Sequence, residues 1–293
     1  MTLLSLILML KPREAALAPS RLGRAAHAAL LRAVDAANPA LAAQLHDESG
    51  PKPFTCSSLL GARADKRGAL DPNSAYTLRY TALTDGMCYV LDNWDTSGGI
   101  ELDNVMFDVA ERPDRSGRPV RSETNPWAAR TTFEELSAPW LLARAEPQRR
   151  ITLLFASPTT FHSGGRSVPL PQPELVFGSL LERWNACAPV ALPEETRRYA
   201  AECLAVSRYS LQTRSLPFKE GAVKIGMVGQ ATFTATHYDR YWLSLINLLA
   251  DFALFAGVGA GVTMGMGQCR RISDQESQPR DPRSAIRNPK SGG

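Results

Sequence analysis

Apolar residues run almost without a break over residues 2–10 and stop at Lys11-Pro12. A short continuous apolar run bounded by a proline is the pattern of a strand buried on both faces. From Arg21 the period changes. Leu22, Ala26, Ala29, Leu30, Ala33 and Ala37 recur at three- and four-residue intervals, which predicts a long helix with one apolar face. Asn38-Pro39 ends it, because proline disfavours a helical residue before it yet suits the first turn of a new helix, with Asn38 as N-cap. The second helix is expected over residues 39–46 and delivers the chain into Gly50-Pro51-Lys52. Residues 54–60 and 75–81 read as strands, 83–94 as a short helix and 100–109 as one further strand. That order is βαββαβ, the ferredoxin-like pattern.

The second half repeats it. Residues 150–156 read as a strand, and 173–187 as a helix with Phe177, Leu180, Leu181 and Trp184 on one face. Strands follow over 206–213 and 223–234, then a strongly apolar helix over 239–256 and a closing strand over 266–272. The expected fold class is therefore α+β, two tandem ferredoxin-like domains at residues 1–125 and 150–273. Residues 112–125, rich in Pro, Gly, Ser and charge, read as a loop, 126–149 as a linker and 274–293 as a disordered tail.

Composition changes little in this picture. With 293 residues, 44% hydrophobic and 21% charged, the chain has room for two ordinary cores and is not a disordered chain. The net charge of +4 hints at a nucleic-acid partner, but its distribution weakens the hint. From Arg270 to the end there are six basic and three acidic residues, which leaves 27 basic and 26 acidic over the other 269 positions. A phosphate-binding surface depends on local charge rather than the total. The five cysteines (Cys56, Cys88, Cys187, Cys203 and Cys269) form no C-x-x-C pair, so zinc-ribbon and thioredoxin chemistry lack their spacing. A reducing cytoplasm is the expected location. No apolar run is long enough to predict a membrane span.

One segment does change the picture. Residues 257–267 read Gly-Val-Gly-Ala-Gly-Val-Thr-Met-Gly-Met-Gly, five glycines in eleven positions, after a helix and before a strand. A dinucleotide fingerprint has the opposite order, and a Walker loop needs a lysine that is missing here. What remains is a backbone that can approach a ligand closely and turn its N–H groups toward phosphate, or a helix-to-strand turn with glycine caps.

This pattern, Gly-Val-Gly-x-x-x-Thr-Met-Gly-Met-Gly after an apolar helix, resembles the C-terminal loop of the RAMP superfamily, and best its branch that processes CRISPR repeat RNA. Further segments are similar in the same order. They are Asn38-Pro-x-Leu-Ala-x-x-Leu-His46, Gly50-Pro-Lys-x-Phe-Thr-x-Ser57, Leu153-Leu-Phe-Ala-Ser-Pro-Thr-Thr-Phe161, and Pro169-Leu-Pro-x-Pro173 followed by Val176-Phe-Gly-Ser-Leu-Leu-x-Arg-Trp-Asn185.

The resemblance implies a metal-independent endoribonuclease that cuts one phosphodiester bond of a CRISPR repeat RNA (pre-crRNA) to yield crRNA. The RNA's own 2′-hydroxyl would attack, leaving a 2′,3′-cyclic phosphate and a 5′-hydroxyl. Such a reaction needs a base, an acid and positive charge on the phosphorane, and no cofactor. His46 matches the family's catalytic histidine and lies at an expected helix C-terminus, where the dipole favours an imidazolium. Lys52 matches the motif lysine that neutralises phosphate charge. The chain departs from members that carry a tyrosine on the first helix, since Leu31 stands there. His27, one turn earlier on the same face, is the candidate to fill that role. The glycine loop (Gly257, Gly259, Gly261, Thr263, Gly265 and Gly267) is expected to contact RNA. So are Arg208, Arg214, Lys219 and Lys224 on the second half's strands and loop, since A-form RNA is read largely through its backbone. His162 and His237 receive no catalytic role. Expected partners are the repeat RNA and other Cas proteins of an effector complex, with the chain a monomer or weak homodimer. The rival reading is a non-catalytic RAMP subunit that coats guide RNA, which would have no need of His46 and Lys52.

Overall fold

The computed structural model describes residues 1–17, 22–47, 49–59, 69–111, 125–217 and 223–273. The expected loop over 112–125 (all but its last residue), Lys219 and the expected tail over 274–293 lie outside them.

The first half builds β1 (Thr2–Pro12), β2 (Ala16–Leu17), α1 (Leu22–Ala37), α2 (Pro39–Asp47), β3 (Phe54–Cys56), β4 (Ala69–Leu70) and β5 (Tyr76–Ala82). It continues with α3 (Asp85–Asn93), β6 (Ile100–Leu102) and β7 (Val105–Glu111). Its sheet has the order β3-β5-β1-β7-β6, antiparallel throughout. The apolar run of β1 makes it the central strand, with Leu3, Leu8 and Leu10 fully buried. Helix α1 lays Ala26, Ala29, Leu30, Ala33 and Val34 on this sheet. Asn38 caps α2 as expected, its Oδ1 accepting the Leu41 N–H at 3.0 Å.

Two expectations in this half need correction. Residues 100–109 form a hairpin rather than one strand: β6 and β7 pair across Asp103-Asn104, both left-handed at φ 53° and 66°. That backbone suits the two-residue hairpin turn, and Asp and Asn tolerate it. Nor is 126–149 a bare linker. It holds β8 (Ala129–Thr132), which pairs with the N-terminal end of β1, and α4 (Phe133–Leu141), started by a Thr132/Glu135 capping box. The first residues of β1 need a partner on that side because β7 bonds only its far end, from Met9 to Pro12.

The second half comprises β9 (Arg150–Thr159), β10 (Phe161–Ser163), β11 (Arg166–Val168), α5 (Pro173–Cys187) and α6 (Glu195–Cys203). After these come β12 (Leu204–Pro217), β13 (Val223–Ala235), α7 (Arg240–Ala256) and β14 (Cys269–Ile272). The sheet order β12-β13-β9-β14 is the ferredoxin-like arrangement again. Sequence patterning missed the small β10–β11 hairpin and α6. The closing strand starts at Cys269, because residues 266–268 belong to the glycine loop.

The halves are joined through buried polar contacts. Arg79 of β5 is wholly buried, and its guanidinium donates to Ser5 Oγ at 2.8 Å, to Gln268 Oε1 and to the Leu254 carbonyl of α7. Trp127 lies 5.2 Å from it, ring centroid to guanidinium carbon. Gln268 passes the link on, its side-chain amide donating to the Cys56 carbonyl of β3 at 3.1 Å. Leu3 and Leu83 from the first half are buried in the second half's core.

Candidate active site

His27 lies half-buried on α1, in the second turn of the helix. Its Nδ1 is 3.0 Å from the carbonyl oxygen of Thr263, in the glycine loop 236 residues away in sequence. A carbonyl can only accept, so Nδ1 carries the proton and the neutral ring presents a lone pair on Nε2. Burial lowers the His27 pKa below its ordinary 6.5 as the largest cause. The Thr263 hydrogen bond opposes this, and the charges of Arg24 and Lys52 add to it. The ring packs against Phe54, centroids 5.6 Å apart. The site therefore holds a neutral imidazole with a fixed tautomer beside two cations.

Lys52 follows α2, and its ammonium donates to the Leu45 carbonyl at 2.6 Å. This ties the Gly50-Pro51-Lys52 segment to the last turn of α2, where the carbonyls lack helical partners. His46, the neighbour of Leu45, is exposed in that turn and makes no hydrogen bond among the described residues. The structure thus brings His27, Lys52 and Thr263 together and holds His46 on the adjoining helix end, without a bond from His46 to His27. Leu31 packs on the first core, so the position of the missing tyrosine is filled by apolar contact.

All five loop glycines have positive φ, between 64° and 90°. The N–H groups of Gly257, Gly259, Gly265 and Gly267 donate to Ala253 O, Ser179 Oγ, Cys56 O and Pro158 O at 3.0–3.1 Å. These four amides are committed inside the protein, so of the two readings open for the segment they fit the glycine-capped turn. The glycines answer a packing demand. A Cβ at Gly259 would lie 2.4 Å from the Thr160 carbonyl, and one at Gly267 2.3 Å from the Val258 carbonyl. The outward side of the loop carries Gly261, Thr263 and the exposed Met264.

Sequence reasoning missed Gly23. A Cβ there would stand 2.2 Å from the Met264 carbonyl oxygen and 2.8 Å from Gly265 Cα, so α1 and the loop touch backbone to backbone. The available signal was a glycine one turn before His27 within the helical pattern.

Arg208 and Arg214 are exposed on β12, and Lys224 is half-buried on β13 opposite Leu216. Side chains alternate along a strand and opposite residues share a face, so the three basic residues line one face of the β12–β13 ribbon. The ribbon continues past the sheet, since β13 pairs with β9 only from Met227 onward. His162 is exposed on β10, and the His237 carbonyl accepts from the Tyr199 hydroxyl. No group of three or more His, Cys, Asp or Glu side chains converges as metal ligands would among the described residues.

Comparison with known proteins fits this geometry. Residues 153–269 match the family CRISPR-associated endoribonuclease Cas6 and residues 2–83 match the CRISPR Cas6 N-terminal domain, together about two thirds of the chain. A CRISPR-associated endoribonuclease Cas6 of Mycobacterium tuberculosis is 34% identical over 43% of this chain and 40% of its own length. One of Streptococcus thermophilus is 26% identical over 46% of this chain and 57% of its own. These matches thus span about half the length of the curated relatives. Solved structures align over more. Thermus thermophilus Cas6 superposes with TM-score 0.67 at 27% identity, over 92% of this chain and 98% of that one. A Cas6 product complex gives 0.74 at 26% identity, over 92% and 99%. Two family matches in chain order, on two ferredoxin-like halves, place this chain in the family of CRISPR-associated endoribonuclease Cas6.

Proposed function

We propose that the protein cuts one phosphodiester bond in a CRISPR repeat RNA, without a metal, by attack of the neighbouring 2′-hydroxyl. His27 Nε2 takes the 2′-hydroxyl proton as O2′ attacks phosphorus. The P–O5′ bond breaks, and the imidazolium of His46 returns a proton to O5′. The products are a 2′,3′-cyclic phosphate and a 5′-hydroxyl. Lys52, whose charge reaches His27, neutralises the phosphorane. Arg208, Arg214 and Lys224 track the phosphates of the RNA, and Gly261 and Thr263 border the scissile nucleotide.

The observation that carries this reading is the His27–Thr263 bond, which leaves a neutral imidazole with its free lone pair on Nε2. The exposed position of His46 at the end of α2 suits a group that meets its partner only when RNA is bound.

The test is cleavage of a labelled repeat RNA from the protein's own locus in EDTA. It runs beside RNA with a 2′-deoxy group at the scissile nucleotide, and beside the His27→Ala and His46→Ala proteins. One cut, lost with the deoxy substrate and slowed about a hundredfold or more by each substitution, supports the mechanism. Tight binding with no cut would replace it with the guide-RNA-coating subunit.

A further inference from the structure

The contact between α1 and the glycine loop is made backbone to backbone, at Gly23 on one side and Met264-Gly265 on the other. It requires a glycine on each side. Gly23 leaves room for the Met264 carbonyl, and Gly265, at φ 90°, would carry a Cβ 3.0 Å from Gly23 Cα. The Gly265 N–H is fixed to the Cys56 carbonyl at 3.1 Å, and Ser57 forms a parallel bridge to Gly265. The turn over Val262–Met264 is closed by the Met264 N–H donating to the Gly261 carbonyl at 2.9 Å. With both ends held, the carbonyl between them, that of Thr263, has one direction in which to point. It points at His27, four residues along α1 from Gly23.

We infer that Gly23 and Gly265 are positioning residues for His27: their backbone contact sets the Thr263 carbonyl against Nδ1, and so fixes the tautomer that leaves Nε2 free to accept a proton. The inference deepens the nuclease reading and rests on it for its catalytic consequence, while its structural content stands without RNA. A carbonyl acceptor acts on a neighbouring imidazole by excluding the tautomer with its proton on Nε2, which would have no lone pair to offer a substrate hydroxyl. Any side chain at Gly23 must drive the loop away from α1. The nearest atoms are loop backbone, which cannot rotate aside as a flexible side chain would.

The tautomer is read directly from imidazole nitrogen NMR shifts of ¹⁵N-histidine-labelled protein without RNA at pH 7.5, with His27→Gln to assign the signal. The expected wild-type signature is a protonated Nδ1 and a bare Nε2. In Gly23→Ala the signature shifts toward a tautomer mixture. Single-turnover cleavage at saturating RNA falls about a hundredfold, the loss attached to misplacing a reacting group by about 1 Å, while the Kd for RNA stays within about twofold. Gly86→Ala is the control, because its Cβ meets only Leu41 Cδ2 at 3.5 Å, an ordinary contact. If Gly23→Ala does not fold, Gly265→Ala and the wild-type signature alone still decide. A wild-type ring protonated on Nε2, or an unchanged tautomer and rate in the folded variants, overturns the inference. A correct wild-type tautomer that is lost in the variants, in a protein that cuts no RNA, upholds the positioning and refutes the nuclease reading instead.

Discussion

Replacing Arg79 with alanine is expected to destabilise the protein by about 2–6 kcal/mol, the range for leaving two buried acceptors unpaired. The figure follows from what the guanidinium touches. Leu254 lies in the last turn of α7, where carbonyls have no helical N–H, so Arg79 acts as a cationic C-cap delivered from the other half. Without it the Leu254 carbonyl and Gln268 Oε1 are both left buried, at about 1–3 kcal/mol each, and a cavity remains beneath Trp127. Against this stands the recovered cost of burying a cation with no carboxylate among its hydrogen-bond partners, a cost that pulls the Arg79 pKa down to about 9. Arg79→Met separates the contributions, since it fills most of the space and donates nothing. The assay is urea unfolding followed by circular dichroism, with the midpoint and slope fitted for all three proteins. An Arg79→Ala loss under about 1 kcal/mol, or an Arg79→Met protein as stable as wild type, would mean that desolvation cancels the bonds, and the clamp would have no net role.

Three further outcomes are expected. The base limb of the cleavage pH profile lies below 6.5, since burial lowers the His27 pKa and the neutral ring persists as the pH falls; Lys52→Met removes a nearby positive charge, so the limb moves up toward 6.5 while the rate at its plateau drops. Asn38→Ala removes the cap of the helix that carries His46 and costs about 1 kcal/mol in thermal or urea unfolding, with the cleavage rate of the folded protein little changed. At the β6–β7 turn, Asn104→Ala is destabilising by about 1 kcal/mol because φ there is 66°, whereas Asn104→Gly holds or gains stability.

The two βαββαβ units are readable in the sequence because each element carries its own period. The continuous apolar run marks β1, the three-four spacing marks α1, and Pro173 opens a helix whose bounds match those expected. What escaped has no such local signature. Helix α6 (Glu195–Cys203) is largely polar and offers a weak apolar stripe, burying only Thr196, Tyr199 and Ala200. Strand β8 is a strand because the free N-terminal end of β1 needs a partner, and nothing in Ala129–Thr132 states that need. The candidate site divides the same way. His46 and Lys52 could be singled out by motif and His27 by its place one turn from Leu31 on the first helix, but the direction of the loop amides could not. Five glycines announce unusual backbone, not whether its N–H groups point at a ligand or into the fold.

That inward direction bears on why the site spans both halves. His27 belongs to the first domain and its acceptor to the second, so the imidazole has its fixed tautomer only while the halves are docked. The docking is held by the same short stretch of chain. Gln268 receives Arg79 from β5 and donates to the Cys56 carbonyl, and that carbonyl also receives the Gly265 N–H three residues before Gln268. One carbonyl oxygen therefore joins the structural clamp to the loop that aims at His27. A weakened clamp and a misdirected base are then not independent events. Arg79→Ala protein that remains folded should lose part of the His27 tautomer signature as well as stability, whereas Asn104→Ala, in the β6–β7 turn at the other edge of the first sheet and remote from this carbonyl, should lose stability alone.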